Sequence, residues 1–241
     1  MRLVNFIRGV LVLLLTPFLT FLTSLLALIY LVICRGSARK AQLFPRTWGR
    51  IILAVAGVEV SVRGLENIEP GRPYIFAANH QSQFDIFAMQ GCLNFDFRWL
   101  AKKELFKIPL FGRAMRLAGY IAIDRSHGRE ALKSLNAAAE RIASGTSVIL
   151  FPEGTRSLDG KLHEFKAGGM VLAIKSGVPV VPVGITGTFD ILPKGRLLAR
   201  PGRVTIRVGQ PVDTKGFSAG QKHELAARIH DEVARLLGMT D

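Results

Sequence analysis

The chain has 241 residues, 49% of them hydrophobic, and its 32 lysines and arginines against 18 aspartates and glutamates give a net charge of +14. That length holds one ordinary α/β domain plus an appendage, and that charge points to nucleic acid or anionic lipid as a partner. Nucleic-acid binding calls for a recognition helix or a ribbon with interleaved aromatics, and the sequence has neither; the two cysteines, Cys34 and Cys92, offer no disulfide framework and no metal spacing, which fits a reducing cytoplasmic side.

The first stretch, Gly9 to Cys34, runs 26 residues without a charge, long enough to cross a hydrocarbon core. Arg2 and Arg8 give the basic start of a signal peptide, but the apolar run is too long for an h-region and no small-x-small cleavage site follows it, so we read a retained anchor. Pro17 removes a backbone donor, and with Thr16, Thr20, Thr23 and Ser24 it complicates a simple span. A second helical stretch, Ser37 to Ala56, alternates Arg39, Lys40, Arg46 and Arg50 with Leu43, Phe44, Trp48, Ile51 and Ile52, the composition of a helix at a membrane surface. Two geometries are open: a spanning helix followed by an interfacial one, or a hairpin dipping into one leaflet. Basic residues flank both ends of the apolar run, so loop charge does not choose between them. They do favour a lipid surface and phosphate-bearing substrates.

From Val58 onward short β-branched runs alternate with helical stretches, which predicts an α/β sheet with crossover helices. The predicted strands are Val58 to Val62, Tyr74 to Ala78, Arg98 to Ala101, Tyr120 to Ile123, Ser147 to Phe151, Val180 to Gly184 and Val204 to Val208. The predicted helices are Phe84 to Gln90, Ile108 to Leu117, Arg129 to Ala143, Gly168 to Ser176 and Ala219 to Leu237, the last with Leu225, Ile229, Val233 and Leu236 on one stripe. The chain thus divides into N-terminal membrane-anchoring helices, 1–57, and a sheet domain, 58–241, without internal repeat or linker.

Polar residues gather where predicted strands end, and ligands of open α/β sheets bind beyond the carboxyl ends of strands. His80 and Asp85 follow the second strand. A turn there would let Asp85, in the first helical turn, accept from one ring nitrogen of His80 and leave the other free to take a proton. Such a pair is also what a loop histidine beside a helix cap looks like, so it gains weight only from its surroundings. In Phe151-Pro152-Glu153-Gly154-Thr155-Arg156-Ser157, Gly154 lets the backbone approach a ligand and Arg156 can fork onto two phosphate oxygens; an ordinary turn with an Arg156–Glu153 pair reads equally well. Asp124 with Arg125 ends another strand, Lys102 and Lys103 are phosphate contacts or surface lysines, and Val178 to Val183 is a buried strand bordered by proline.

These stretches, in this order, resemble the glycerolipid acyltransferases, in particular the bacterial lysophosphatidic acid acyltransferases. The family's Asn-His, four residues, Asp motif is Asn79-His80 to Asp85 with its usual serine at Ser82. Its Gly to Asp-Arg motif is Gly119 to Arg125, its Phe-Pro-Glu-Gly-Thr-Arg-Ser motif is Phe151 to Ser157 unchanged, and its Val-Pro-rich strand is Val178 to Val183. Ala101 to Leu105 and Ile108 to Gly112 look like its connecting segment. Ala122 departs from the family, which often carries a bulky residue there; this bears on acyl-chain preference and not on the reaction class.

The resemblance implies an acyltransferase domain over 58–241, an α/β fold with a mixed, largely parallel sheet flanked by helices. It implies transfer of a fatty acyl group from acyl-coenzyme A or acyl-acyl carrier protein to the sn-2 hydroxyl of lysophosphatidic acid, giving phosphatidic acid for phospholipid biosynthesis. It further implies His80 as base, Asp85 as its orienting carboxylate, and Arg125, Glu153, Gly154, Thr155, Arg156 and Lys102 as substrate-binding residues. No cofactor and no metal are expected. The expected partners are the lipid bilayer, the lysolipid and the acyl donor, and not nucleic acid. The expected location is the bacterial inner membrane with the catalytic domain on its cytoplasmic face. The family's membrane-embedding helices favour the leaflet-dipping hairpin. Other acceptors, namely glycerol-3-phosphate, a different lysophospholipid or a lyso-ornithine lipid, fit the same residues, and so does a lipid-binding protein without turnover.

Overall fold

A computed structural model describes residues 2–124 and 128–239. Among these, seven strands form one sheet in the order β1 (Val58–Arg63), β7 (Gly202–Val208), β6 (Val180–Thr186), β2 (Ile75–Ala78), β5 (Val148–Leu150), β3 (Arg98–Lys102) and β4 (Ile121–Ile123). Every neighbouring pair is parallel except β6 with β7, so the sheet is mixed and largely parallel, as predicted.

The helices are α1 (Arg2–Leu28), α2 (Ala38–Ala41), α3 (Leu43–Ala56), α4 (Phe84–Cys92), α5 (Phe111–Leu117), α6 (Arg129–Ala143), α7 (Ala167–Ser176), α8 (Thr188–Ile191) and α9 (Lys222–Leu237). They cover both faces of the sheet. The period-two alternation of β2 sends Phe76 and Ala78 into a core with Ile52 and Leu53 of α3 and Phe84 and Phe87 of α4. Its Ile75 and Ala77 join Ile142 of α6, Met170 and Leu172 of α7, and the predicted α9 stripe residues Leu225, Ile229 and Val233 on the other face. A side chain as fully buried as Ile229 contributes about 1.5–3 kcal/mol.

Several boundaries differ from the pattern reading. The helix predicted over Ser37 to Ala56 divides at Gln42, whose side-chain amide donates to Ala38 O and Ala118 O. Residues 103–107 form a 3-10 turn and α5 begins only at Phe111. β6 runs on to Thr186 with Pro182 inside it, where the neighbouring β7 begins its antiparallel pairing only at Val183. The four-residue α8 has too few residues for a periodic signal.

Pro17 does not break α1, which continues through a π turn to Ile33. Thr16, Thr20 and Ser24 donate their hydroxyls to carbonyls four residues back, so these polar groups are satisfied within the helix. The segment Arg2–Ile33 is long and apolar enough to cross a membrane. It folds back on α3: Tyr30 meets Phe44, with ring centroids 5.7 Å apart, and Trp48 Nε1 donates to Thr20 Oγ1 at 3.1 Å. Near its start Gly9 lies against Leu198 and Ala199, so closely that a Cβ there would sit 2.9 Å from Ala199 O. Docked along its length, α1 leaves Leu3, Ile7, Leu14, Phe18 and Phe21 exposed as one outward stripe.

β2 sits where the strand order reverses. After it the chain moves out to β3 and β4 on one side, returns to β5 beside β2, and then crosses to β6 on the other. The loops beyond β2, β5 and β3 therefore lie together at the carboxyl ends of parallel strands, the place where open α/β sheets bind ligands.

Candidate active site

The chain leaves β2 in a fixed register because Asn79 adds a rung with its side chain. Its Oδ1 accepts from Ile185 N at 2.7 Å and its Nδ2 donates to Ile185 O at 2.9 Å. Ser82 then starts α4: its Oγ accepts from Phe84 N at 3.1 Å, as a capping hydroxyl does, and donates to Leu192 O at 2.8 Å.

Asp85 lies in the first turn of α4, fully buried, and its carboxylate turns back toward the preceding loop. Oδ2 accepts from Gln81 N at 2.7 Å, from Ser82 N at 2.8 Å and from His80 Nδ1 at 2.8 Å. A carboxylate oxygen can only accept here, so Nδ1 carries the proton and Nε2 is left with its lone pair. The imidazole is flattened against Phe151, with centroids 3.9 Å apart and planes 8° from parallel. Trp99 extends the stack on Phe151 at 5.8 Å and is itself anchored by Nε1 donating to Gln90 Oε1 at 2.6 Å. The ring that would take a proton thus has one face and one nitrogen fixed.

The loop after β5 holds the main chain of His80 at both ends. Glu153 Oε1 accepts from His80 N at 2.6 Å, and Ser157 N donates to His80 O at 2.8 Å. Burial pushes the Glu153 carboxyl up to about 7, against the lowering pull of backbone N–H donors from His80 and His163. His163 N reaches Glu153 Oε2 at 3.3 Å, and its ring Nε2 lies 3.0 Å from Asp159 Oδ1. Asp159 is held down at about 2, chiefly by the Ser157 hydroxyl and then by Lys161 N. Gly154 turns the chain with φ +77, and a Cβ there would press to 3.1 Å from Lys166 Nζ.

Around this loop the structure collects positive charge. Lys194 Nζ donates to Thr155 Oγ1 at 3.1 Å and to Arg156 O at 3.2 Å, and Lys166 lies against Gly154, so two ammonium groups flank the loop that carries Arg156.

Of the residues selected from sequence, Asp85 and Glu153 are both bonded to His80, one through its ring and the other through its main chain, and Gly154, Thr155 and Arg156 continue the Glu153 loop. Lys102 stands at the carboxyl end of β3 with its ammonium 3.7 Å from Glu104, while the adjacent Lys103 pairs with Asp124. Arg125 lies outside the described residues. Sequence reasoning did not select Asn79, Phe151, His163, Lys166 or Lys194 as functional, although Asn79 and Phe151 stand inside the motifs. Lys194 carries no local signal at all, since its partner Thr155 is 39 residues away.

An acyltransferase family model matches residues 59–186. The chain is 39% identical to a 1-acyl-sn-glycerol-3-phosphate acyltransferase of Chlamydomonas reinhardtii over 70% of its own length, and spans about half, 52%, of that relative. It is 35% identical to the 1-acyl-sn-glycerol-3-phosphate acyltransferase of Pseudomonas aeruginosa, over 76% of this chain and 70% of that one. Among solved structures, the crystal structure of the 1-acyl-sn-glycerophosphate (LPA) acyltransferase PlsC from Thermotoga maritima superposes with a TM-score of 0.75 at 33% identity, covering 97% of this chain and 96% of that one.

Proposed function

Starting from a chain that belongs to the acyltransferase family, among the 1-acyl-sn-glycerol-3-phosphate acyltransferases, we propose that it moves a fatty acyl group from acyl-coenzyme A or acyl-acyl carrier protein to the sn-2 hydroxyl of lysophosphatidic acid, forming phosphatidic acid. The observation that carries this reading is the 2.8 Å bond between His80 Nδ1 and Asp85 Oδ2, which leaves Nε2 as a base beyond the carboxyl end of β2.

In the proposed reaction the acceptor hydroxyl gives its proton to His80 Nε2 as its oxygen attacks the thioester carbonyl carbon. Asp85 stabilises the imidazolium so formed, and the Phe151 face adds a cation–π contribution. Collapse of the tetrahedral intermediate breaks the C–S bond, and the imidazolium returns the proton to the thiolate, releasing free thiol. Atoms and charge balance without an acyl-enzyme, and the thioester carries the activation, so the scheme uses no cofactor. Arg156, Lys194 and Lys166 hold the acceptor phosphate.

The membrane side follows from α1. Helix α1 is docked on α3 and on the loop at Leu198–Ala199, so it enters the lipid as part of the domain surface, and its outward apolar stripe fits a single leaflet. We assign residues 1–57 to that attachment and 58–241 to the reaction, at the cytoplasmic face of the inner membrane where both substrates meet.

The test is thiol release from acyl-coenzyme A and acyl-acyl carrier protein in detergent micelles, across a panel of lyso-acceptors. Release with lysophosphatidic acid and none from a His80→Ala protein is expected. Release only with another acceptor corrects the substrate, and lysolipid binding without any thiol release would show a binding protein instead.

A further inference from the structure

A cleft of about 850 Å³ opens between the first turn of α1 and the loop that follows α8. Arg2, Arg196 and Arg200 line it together with Phe6, Leu197 and Leu198, and no aspartate or glutamate does. Among the described residues none of the three arginines has an ion-pair partner, whereas Arg203 just beyond the loop reaches Glu59 at 3.4 Å. Three guanidiniums without a carboxylate around one hollow give it a positive potential that favours an anion.

The cleft is separate from the reaction site. His80, Asp85 and residues 153–157 take no part in its lining, and Lys194 of the same loop turns the other way, to Thr155 and Arg156. Its lining includes exposed apolar side chains, Phe6 at 57% and Leu197 at 71%, and Leu3, which begins the outward stripe of α1 and follows Arg2 in the chain, is 70% exposed. A soluble anion has no use for such a lining. A lipid does, since its headgroup meets the guanidiniums while its chains run along the exposed side chains.

We infer that this cleft binds the anionic headgroup of a bilayer phospholipid that is not consumed in the reaction. The bound lipid sets α1 at headgroup depth. It also fastens the loop that carries Lys194, so the phosphate rim of the reaction site is held at the membrane plane.

The inference is tested without turnover and so stands apart from the acyl-transfer reading. Full-length protein is sedimented with vesicles of phosphatidylcholine alone and with phosphatidylglycerol added. Binding to phosphatidylcholine is expected to be unchanged in an R196A/R200A protein, because the α1 stripe is intact, which also reports that the variant is folded. The added affinity from phosphatidylglycerol should fall about thirtyfold, at about fivefold for each basic residue at an anionic surface, and R196K/R200K should keep most of it. The control K215A/R228A removes the same charge from exposed positions at and before α9, across the sheet, and should lose little. Equal losses in the control, no loss in R196A/R200A, or displacement by free glycerol phosphate would each overturn the lipid site.

Discussion

Glu153 grips His80 by its main chain: one carboxylate oxygen accepts His80 N at 2.6 Å while the other accepts His163 N at 3.3 Å. A glutamine in its place has one oxygen for two donors, so one N–H would face an amide NH2. Glu153→Gln should therefore cost about 1–3 kcal/mol and lower kcat more than it raises the acceptor KM, because it is the base that shifts. Urea unfolding and steady-state thiol release check both parts; an unchanged kcat would detach Glu153 from the positioning of His80.

The same residue sets a pH dependence. Its carboxyl rises from 4.5 to about 7 on folding, mainly through burial, so between those values the folded chain holds a proton that the unfolded chain has lost. Its contribution is complete below pH 4.5 and declines as pH rises through about 7, with a slope approaching about 1.4 kcal/mol per unit. Asp159, lowered to about 2, changes protonation outside that window. Subtracting the Glu153→Gln stability profile from the wild-type profile should isolate a fall with this sign; a flat or rising difference contradicts it.

Removing the base should matter more. His80→Ala is expected to lower kcat by about 10²–10⁴-fold, the usual reach of general-base catalysis, with vesicle binding intact. In Asp85→Asn the amide either keeps three donors on one oxygen and buries an unpaired NH2, or turns that NH2 toward all three. Either way the imidazolium loses its counter-charge, and a comparable loss of kcat is expected with reduced stability. Activity within tenfold of wild type in either variant sinks the dyad.

What the sequence makes legible here is what lies close along the chain. His80 and Asp85 are five residues apart across one turn, and residues 151–157 form one loop, so residue order alone displays them. The sheet is legible too, because its central strands are short apolar runs, β-branched in β5 and β6. The unread parts are bonds across long separations: Asn79 to Ile185 spans 106 residues and Lys194 to Thr155 spans 39, and no periodicity encodes either. The antiparallel pairing of β6 with β7 and the docking of α1 on α3 are likewise products of packing. Composition alone does not display that α1 packs back on the domain through the Trp48–Thr20 and Gly9–Ala199 approaches.

The Phe151 ring lies 3.9 Å from the imidazole, nearly parallel to it, and such contacts contribute about 0.5–1.5 kcal/mol. Phe151→Leu keeps an apolar side chain but loses the π face. A kcat lower by roughly two- to tenfold is expected at unchanged acceptor KM, by thiol release. A change confined to KM would make Phe151 a substrate contact instead.

Lys194 separates two accounts of the phosphate rim. Its ammonium is spent partly on Thr155 Oγ1 and Arg156 O, so it both adds charge and fixes the loop that aims Arg156. Arg156→Ala removes a forked, charge-assisted contact and should raise the acceptor KM by about ten- to a hundredfold, with the donor KM unaffected. Lys194→Met should raise the same KM, and Lys194→Arg should recover much of it, because a guanidinium can still donate to both oxygens. If Lys194→Met matches Arg156→Ala and the double variant is no worse than either, the two residues act as one unit and Lys194 works by holding Arg156. If the effects multiply, each meets the phosphate separately. An acceptor KM untouched by both variants, with the donor KM raised, would move the rim from the lysolipid to the phosphates of the acyl donor.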